Sequence, residues 1–400
     1  MVTFWKDKKP RSAFAERVFE TSALGRTRRE PMNLTLSLNH RCNLRCTYCY
    51  AGDKFNRRMP LEVAEKALEL AFSYPSNVVR VLLFGGEPLL ELELLEAVSA
   101  ATRAKAKATG KLARLGLTTN GTQLKDRALD LLDEYDFNVT VSLDGDREAH
   151  NSARVMPNGK GSFDAVVKGI RRAQERLGSV RTISVVHPGN LARLPESFDL
   201  VASLGITRMA FNLNYDAKWE EEQLEDLERG YEAMADRVIE HYRRGVDFTV
   251  QPFHAKIVSR LKGGFAPGDK CDFGCKELAV APSGRIYPCD RLIGEDGAAQ
   301  DEVVIGDVDT GVQVARVSAM KDPKDQPKAD CEGCAIVDRC MWWCGCVNKA
   351  LTGRVDEVSG LLCAVEQMIV RASDRIATTL FAEGNRPFFA RYYLAAANAL

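Results

Sequence analysis

The chain has no net charge, because 55 Lys and Arg offset 55 Asp and Glu across its 400 residues. That balance gives no global attraction to nucleic acid or to an anionic membrane, so neither is expected as a partner. Long hydrophobic runs are missing too. No 18 consecutive apolar residues occur, and the opening MVTFWKDKKPRSAF has no apolar centre of a signal peptide. A cytoplasmic protein without a membrane segment is expected. Internal repeats and low-complexity tracts are absent. Histidine is scarce, and His40, His150, His187, His241 and His254 share no metal-ligand spacing, so each is read as structural. Cysteine is missing from one long interval, between Cys49 and Cys271.

On either side of that interval cysteine is crowded. Of twelve cysteines, three are Cys42, Cys46 and Cys49, and nine fall between Cys271 and Cys363. A reducing compartment keeps thiols free, and a chain this long with 45% hydrophobic residues buries a core without disulfide staples. Cysteines serving only as core residues would be scattered, so metal ligation is the default reading.

From Asn33 to about Asn214, short apolar runs alternate with amphipathic stretches. The runs at 33–39, 78–84, 113–119, 137–143, 181–187 and 207–213 have the length and composition of strands. Helical patterns lie between them, for example from Pro60, with proline in the first turn, and from Ser162, with serine as N-cap. Six strand-helix units imply parallel strands with right-handed crossovers. Six are too few to close an eight-fold barrel, so the expected fold is α/β, a partial (β/α)6 TIM-type barrel.

The expected organisation is a basic arm over 1–32, the barrel over 33–216, a helical connector over 217–252, a cysteine-rich domain over 253–370 and a C-terminal helix or tail over 371–400. Through Glu30 the arm carries eight Lys or Arg against four acids, and is read as solvated. In the connector, Leu224, Leu227, Tyr231, Met234, Val238 and Tyr242 recur at helical spacing, a packing stripe.

Cys42, Cys46 and Cys49 follow the first strand directly, at the barrel edge where strand-loop-helix folds concentrate chemistry. Thiolates at this density suit zinc or an iron-sulfur cluster. A cubane held by three cysteines leaves one iron open to another ligand. The Cys-x3-Cys-x2-Cys spacing, with Tyr48 before the last cysteine, resembles the signature loop of the radical S-adenosylmethionine (SAM) superfamily. A zinc knuckle short of one ligand is the alternative reading of the loop alone. The next strand ends extend the resemblance: FGGEPLL with Gly85, Gly86 and Glu87, TTNGT with Asn120, and SLDGDREAHNSAR with Ser142 and Arg154. It implies that SAM chelates the open iron of a 4Fe-4S cluster and is cleaved to a 5'-deoxyadenosyl radical. It also implies that Gly85 and Gly86 let the backbone approach the methionine moiety and that Glu87 accepts from its amino group. Asn120 is included in the same set, Ser142 and Arg154 hold ribose and carboxylate, and Tyr215 contacts adenine.

The nine later cysteines read Cys271-x3-Cys275-x13-Cys289, then Cys331-x2-Cys334-x5-Cys340-x3-Cys344-x-Cys346, then Cys363. Alone they also fit a zinc ribbon. Beside a radical SAM core they resemble a SPASM domain, the extension that holds two auxiliary 4Fe-4S clusters. Carried across, that resemblance assigns Cys271, Cys275, Cys289 and Cys344 to one cluster and Cys331, Cys334, Cys340 and Cys363 to the other. Cys346 is then spare, and the unusual WWCGC turn leaves open whether Cys344 or Cys346 is the ligand. Asp290, following Cys289, matches the position of a base in anaerobic sulfatase maturases; an ion pair with Arg285 or Arg291 is its structural alternative.

The resemblance implies an enzyme that abstracts hydrogen from a residue of a ribosomally made peptide and oxidises it to a C-C or C-S crosslink. The alternative is a sulfatase maturase making formylglycine from Ser or Cys. A non-catalytic electron carrier would have no need of Glu87, Asn120, Ser142 and Arg154. Implied partners are a precursor peptide or protein, a reduced flavodoxin or ferredoxin, and a leader-recognition protein on a separate chain.

Overall fold

The computed structural model describes residues 30–394, so the first 29 residues of the basic arm and the last six residues lie outside it. Six strands fall within about two residues of the six apolar runs: β1 (Met32–Ser37), β2 (Val78–Phe84), β3 (Leu112–Thr119), β4 (Asn138–Ser142), β5 (Arg181–Val186) and β6 (Arg208–Leu213). Successive residues on a strand face opposite sides. In β2 the fully buried Val79, Val81 and Leu83 alternate with Arg80, Leu82 and Phe84. The buried set packs against the crossover helices, and the other set faces the barrel lumen.

Five helices cross between these strands: α1 (Leu61–Ser73), α2 (Leu92–Thr109), α3 (Asp126–Glu134), α4 (Phe163–Leu177) and α5 (Leu194–Ser203). In α1, Ala64, Ala67, Leu68, Ala71 and Phe72 form one buried stripe, with Pro60 just outside as N-cap. Ser162 occupies the N-cap of α4, but its side chain does not cap the helix. The hydroxyl instead donates to the carbonyl of Arg154 at 2.8 Å and meets His150 Nε2 at 2.9 Å.

The barrel has more strands than the six expected. Within 217–252, α6 (Glu221–Arg243) leads to β7 (Thr249–Gln251), which pairs parallel to β6. Three residues are too few to register as an apolar run, so this segment is a seventh strand-helix unit rather than a connector. The expected stripe on α6 is buried from Leu227 to Tyr242. It packs against α5 and the long helix α8 (Gly360–Ala382), which follows α7 (Phe253–Lys262).

The cysteine-rich stretch joins the same sheet. Its first strand, β8 (Glu277–Val280), lies parallel to β1, with Asn33 beside Glu277 and Leu36 beside Val280. Antiparallel strands β9 (Arg285–Tyr287), β10 (Gly306–Asp307) and β11 (Gly311–Val312) continue outward. The result is one eleven-stranded sheet, ordered β11-β10-β9-β8-β1-β2-β3-β4-β5-β6-β7. No helix among the described residues is long and apolar enough to cross a membrane.

Candidate active site

The three-cysteine loop is fixed by the ends of three strands. Arg45 N donates to Val155 O at 2.7 Å and Thr47 N to Ala153 O at 3.1 Å, tying the loop to the segment after β4. Beyond β3, Asn120 Nδ2 donates to Asn43 Oδ1 at 2.9 Å, and Asn43 Nδ2 donates to Thr122 Oγ1 at 2.8 Å. Beyond β2, Gly86 N donates to Asn39 O at 2.8 Å and Glu87 N to Arg41 O at 2.9 Å. A Cβ at Gly85 would lie 2.6 Å from Asn39 O, and one at Gly86 would lie 2.2 Å from Arg41 O. Both glycines are therefore required for contact between β2 and the loop backbone, a constraint separate from any approach to a ligand.

A cavity of about 420 Å3 opens above these strand ends. Its walls bring together Cys42, Cys46 and Cys49 with Tyr48, Gly85, Gly86, Asn120, Ser142 and Arg154. Two expected residues lie outside it. Glu87 is fully buried: Oε1 accepts from Thr119 Oγ1 at 2.7 Å and Leu89 N at 3.0 Å, and Oε2 from Asn120 N at 2.7 Å. Burial raises its carboxyl and these donors oppose the rise. These bonds join the β2 and β3 ends through the Glu87 carboxylate. Tyr215 is buried within electrostatic reach of Glu366 rather than lining the cavity; Asn214 and Asp216 line it instead.

The thiols receive donors. Cys42 Sγ accepts from Leu44 N at 3.4 Å and Asn120 Nδ2 at 3.8 Å, and Cys46 Sγ accepts from Arg154 Nη1 at 3.9 Å. Burial pushes the Cys42 thiol up to about 11 and raises Cys46 as well. Metal binding would therefore release protons from them. Arg154 is buried, its Nε 3.0 Å from Asp144 Oδ2, and its guanidinium centre stands 5.4 Å from the Tyr48 ring centroid. Tyr48 also donates to Asp144 Oδ2. Burial opposes the charge of Arg154, but Asp144, Tyr48 and Cys46 together hold it more firmly protonated than usual. Asp144 lies inside SLDGDREAHNSAR, and only the folded chain reveals it as the hub under Arg154. None of the five histidines lines the cavity, and His150 instead accepts from Asp144 N through Nδ1 at 3.3 Å.

The cysteine-rich half supplies the opposite wall, through Cys289, Asp290 and Arg291. Arg285 pairs with Asp301, and Arg291 pairs with Asp216 at 2.8 Å, so neither forms the ion pair considered for Asp290. Asp290 Oδ2 instead accepts from the Tyr50 hydroxyl at 3.1 Å. Tyr50 was visible beside Cys49 in the sequence, but its partner lies 240 residues away.

Elsewhere the thiols form two groups. Cys346 Sγ lies 3.6 Å from Cys344 Sγ and within hydrogen-bonding reach of Cys289, while Cys271 lies within electrostatic reach of Cys344. Cys346, expected to be spare, is thus inside the first group. Cys275 is set among Asp272, Lys321 and Asp325. Cys363 lies within electrostatic reach of Cys331 and Cys334, and Cys340 packs with Cys331 around Trp342 and Trp343. Among the described residues, no three Cys, His, Asp or Glu side chains converge on a point that would hold a single ion.

Residues 36–201 match the family model described as the Radical SAM superfamily. The chain carries a radical SAM domain. It is 27% identical over 340 residues to PqqA peptide cyclase of Gluconobacter oxydans, covering 81% of this chain and 88% of that one. It is 24% identical over 338 residues to the serine-type anaerobic sulfatase-maturating enzyme of Klebsiella aerogenes, covering 76% of each. Other curated relatives align over 181 and 215 residues, and the chain spans 62% and 51% of their lengths. A solved structure of native anSMEcpe with bound AdoMet and Cp18Cys peptide superposes with a TM-score of 0.74 at 19% identity, covering 87% of this chain and 98% of that one. A radical SAM domain implies a 4Fe-4S cluster and SAM, and the three thiols of Cys42, Cys46 and Cys49 opening onto one cavity fit that pair.

Proposed function

We propose that the protein is a radical SAM maturase that oxidises a residue of a ribosomally made peptide, joining it in a C-C or C-S crosslink. The observation carrying this reading is the shared cavity, where Cys42, Cys46 and Cys49 from the barrel face Cys289 and Asp290 from the cysteine-rich half. A bound SAM and cluster would supply a carbon-centred radical able to abstract hydrogen. In this proposal Cys42, Cys46 and Cys49 hold the cluster, while Asn120, Ser142, Arg154 and Tyr48 surround SAM and the backbone at Gly85 and Gly86 lies against it. Asp290 receives the substrate proton, oriented by Tyr50. The two thiol groups support two auxiliary 4Fe-4S clusters, one on Cys271, Cys289 and Cys344 with Cys275 or Cys346, the other on Cys331, Cys334, Cys340 and Cys363.

A flavodoxin or ferredoxin would supply electrons, a separate leader-recognition protein would accompany the precursor, and the cytoplasm would be the setting. The test is anaerobic reconstitution with SAM, dithionite and short precursors encoded beside the gene. The expected outcome is 5'-deoxyadenosine together with a peptide two hydrogens lighter. A second reading, formylglycine formation on a sulfatase, is favoured by Asp290 having a neutral phenol rather than an arginine as its partner. A hydrazide probe separates the two, because it labels formylglycine and leaves a crosslink unlabelled.

A further inference from the structure

At the far end of the barrel from the cysteines, the lumen is floored by arginine. Leu82, Thr118, Ile183 and Asn212 line the cavity from β2, β3, β5 and β6. Counting back in steps of two along each strand keeps to the same face and arrives at Arg80, Arg114, Arg181 and Arg208, all exposed. Arg80 and Arg114 are register partners on adjacent strands. Extending the β5-β6 register by one residue sets Arg181 beside Arg208. Burial and the Arg208 charge both lower Arg181, as close like charges do.

Like charges directly opposed across strands destabilise a sheet. Neither pair is neutralised within the described residues, although neighbouring cations are: Arg172 pairs with Asp126, Arg176 with Asp130, and Lys105 with Glu69. Asn138 alone softens the layer, accepting from Arg181 at 3.4 Å. β1 begins at this end of the barrel, and the sequence before Glu30 is itself rich in Lys and Arg. Beside Arg114 a groove of about 710 Å3 continues the positive surface with Arg103, Lys107 and Lys111, and has one acid on its wall, Asp136.

This floor does not connect with the cavity above. Leu82 lies over Gly116, where an added Cβ would meet Leu82 Cδ1 at 3.4 Å, so apolar packing separates the two. From Phe84 down to Arg80 is roughly 13 Å at about 3.3 Å per residue.

We propose that the arginine floor and its groove bind an acidic stretch of the peptide substrate, an Asp- or Glu-rich segment remote from the residue being modified. This rests on the reading that the substrate is a peptide. A concave groove accepts an extended chain and its carboxylates, and bidentate pairing suits guanidinium. An acidic electron-transfer protein docked here would be held on the side of the barrel away from the three thiols. The acidic stretch and the modified residue must be separated by enough chain to pass round the barrel wall, at least four extended residues and in practice more.

The test measures anisotropy of a fluorescein-labelled deca-glutamate peptide with the reconstituted holoenzyme. Binding is expected, weakening steeply with added salt. It should fall about tenfold in the Arg80→Glu/Arg114→Glu and Arg181→Glu/Arg208→Glu variants, remain in Arg80→Lys/Arg114→Lys, and be unchanged in the surface control Arg172→Glu/Arg176→Glu. Arg114→Gln should not lower the melting temperature, since it removes a like-charge contact. Equal weakening in floor and control variants, or no binding to wild type, overturns the proposal. So does a flavodoxin that loses affinity for the floor variants while the peptide does not. The same preparations are assayed for 5'-deoxyadenosine, and its absence from wild type would refute the radical reading whatever the anisotropy shows.

Discussion

Tyr50 and Asp290 are joined by a 3.1 Å hydrogen bond from phenol to carboxylate, across 240 residues of sequence. The Tyr50 ring stacks on Phe84 and has the Arg291 guanidinium centre 5.4 Å from its centroid, so the donor is held from three sides. Removing the hydroxyl with Tyr50→Phe leaves the ring packing in place. A hydrogen bond to a charged group contributes about 1.5–3 kcal/mol, so peptide oxidation should drop about 10- to 100-fold. Iron content and substrate-free SAM cleavage should not change. Asp290→Asn should lose more, about 100-fold or beyond, as expected on removing a general base. Equal activity in both variants would assign the proton elsewhere.

The Asp144–Arg154 pair makes a different demand. Both side chains are buried, and Asp144 Oδ1 also accepts from Val185 N at 2.9 Å. Removing one member of a buried ion pair costs about 3–5 kcal/mol, because the other charge stays buried. Asp144→Ala should therefore lower stability in urea by that order. Arg154→Met and the double variant complete a cycle whose coupling term isolates the pair.

His150 gives the site a pH dependence. Burial brings it down to about 4 from its ordinary 6.5, so the folded chain keeps it neutral where the unfolded chain would protonate it. Between those values the unfolded state binds more protons, so stability must fall as the pH drops through the window. The full shift corresponds to about 3 kcal/mol. Denaturation of the apoprotein at successive pH values should show that slope in wild type and a shallower one in His150→Gln.

The thiol groups can be separated by iron analysis. Cys346 is buried against Cys289 and Cys344, while Cys275 stands among charged side chains. After anaerobic reconstitution, Cys346→Ser should lose more iron and disturb the electron paramagnetic resonance of an auxiliary cluster more than Cys275→Ser does. The reverse order would return Cys346 to a packing role.

The barrel was legible in the sequence because its signal is local. Runs such as VVRVLLF state a strand by composition and length, and the structure places β2 on those seven residues. The three cysteines were legible for the same reason. The buried partners of Glu87 were not, because a Gly-Gly-Glu-Pro strand end does not reveal that its carboxylate accepts from Thr119, Asn120 and Leu89. Nor were Tyr50 with Asp290 or Cys346 with Cys289, whose partners meet only after β8 has paired with β1. The seventh strand escaped notice because Thr249–Gln251 gains its stability from the β6 edge rather than from its own pattern.

That pairing of β8 with β1 also bears on how the chain can be handled. β1 is an interior strand, bonded to β2 on one side and β8 on the other. A truncation after the barrel would bare the backbone donors and acceptors of Asn33 through Leu36 beside an apolar face, a template for edge-to-edge aggregation. The two halves should accordingly melt in one transition and resist being expressed apart. Fusion tags and insertions belong in exposed turns such as the one around Gly159, outside this shared sheet.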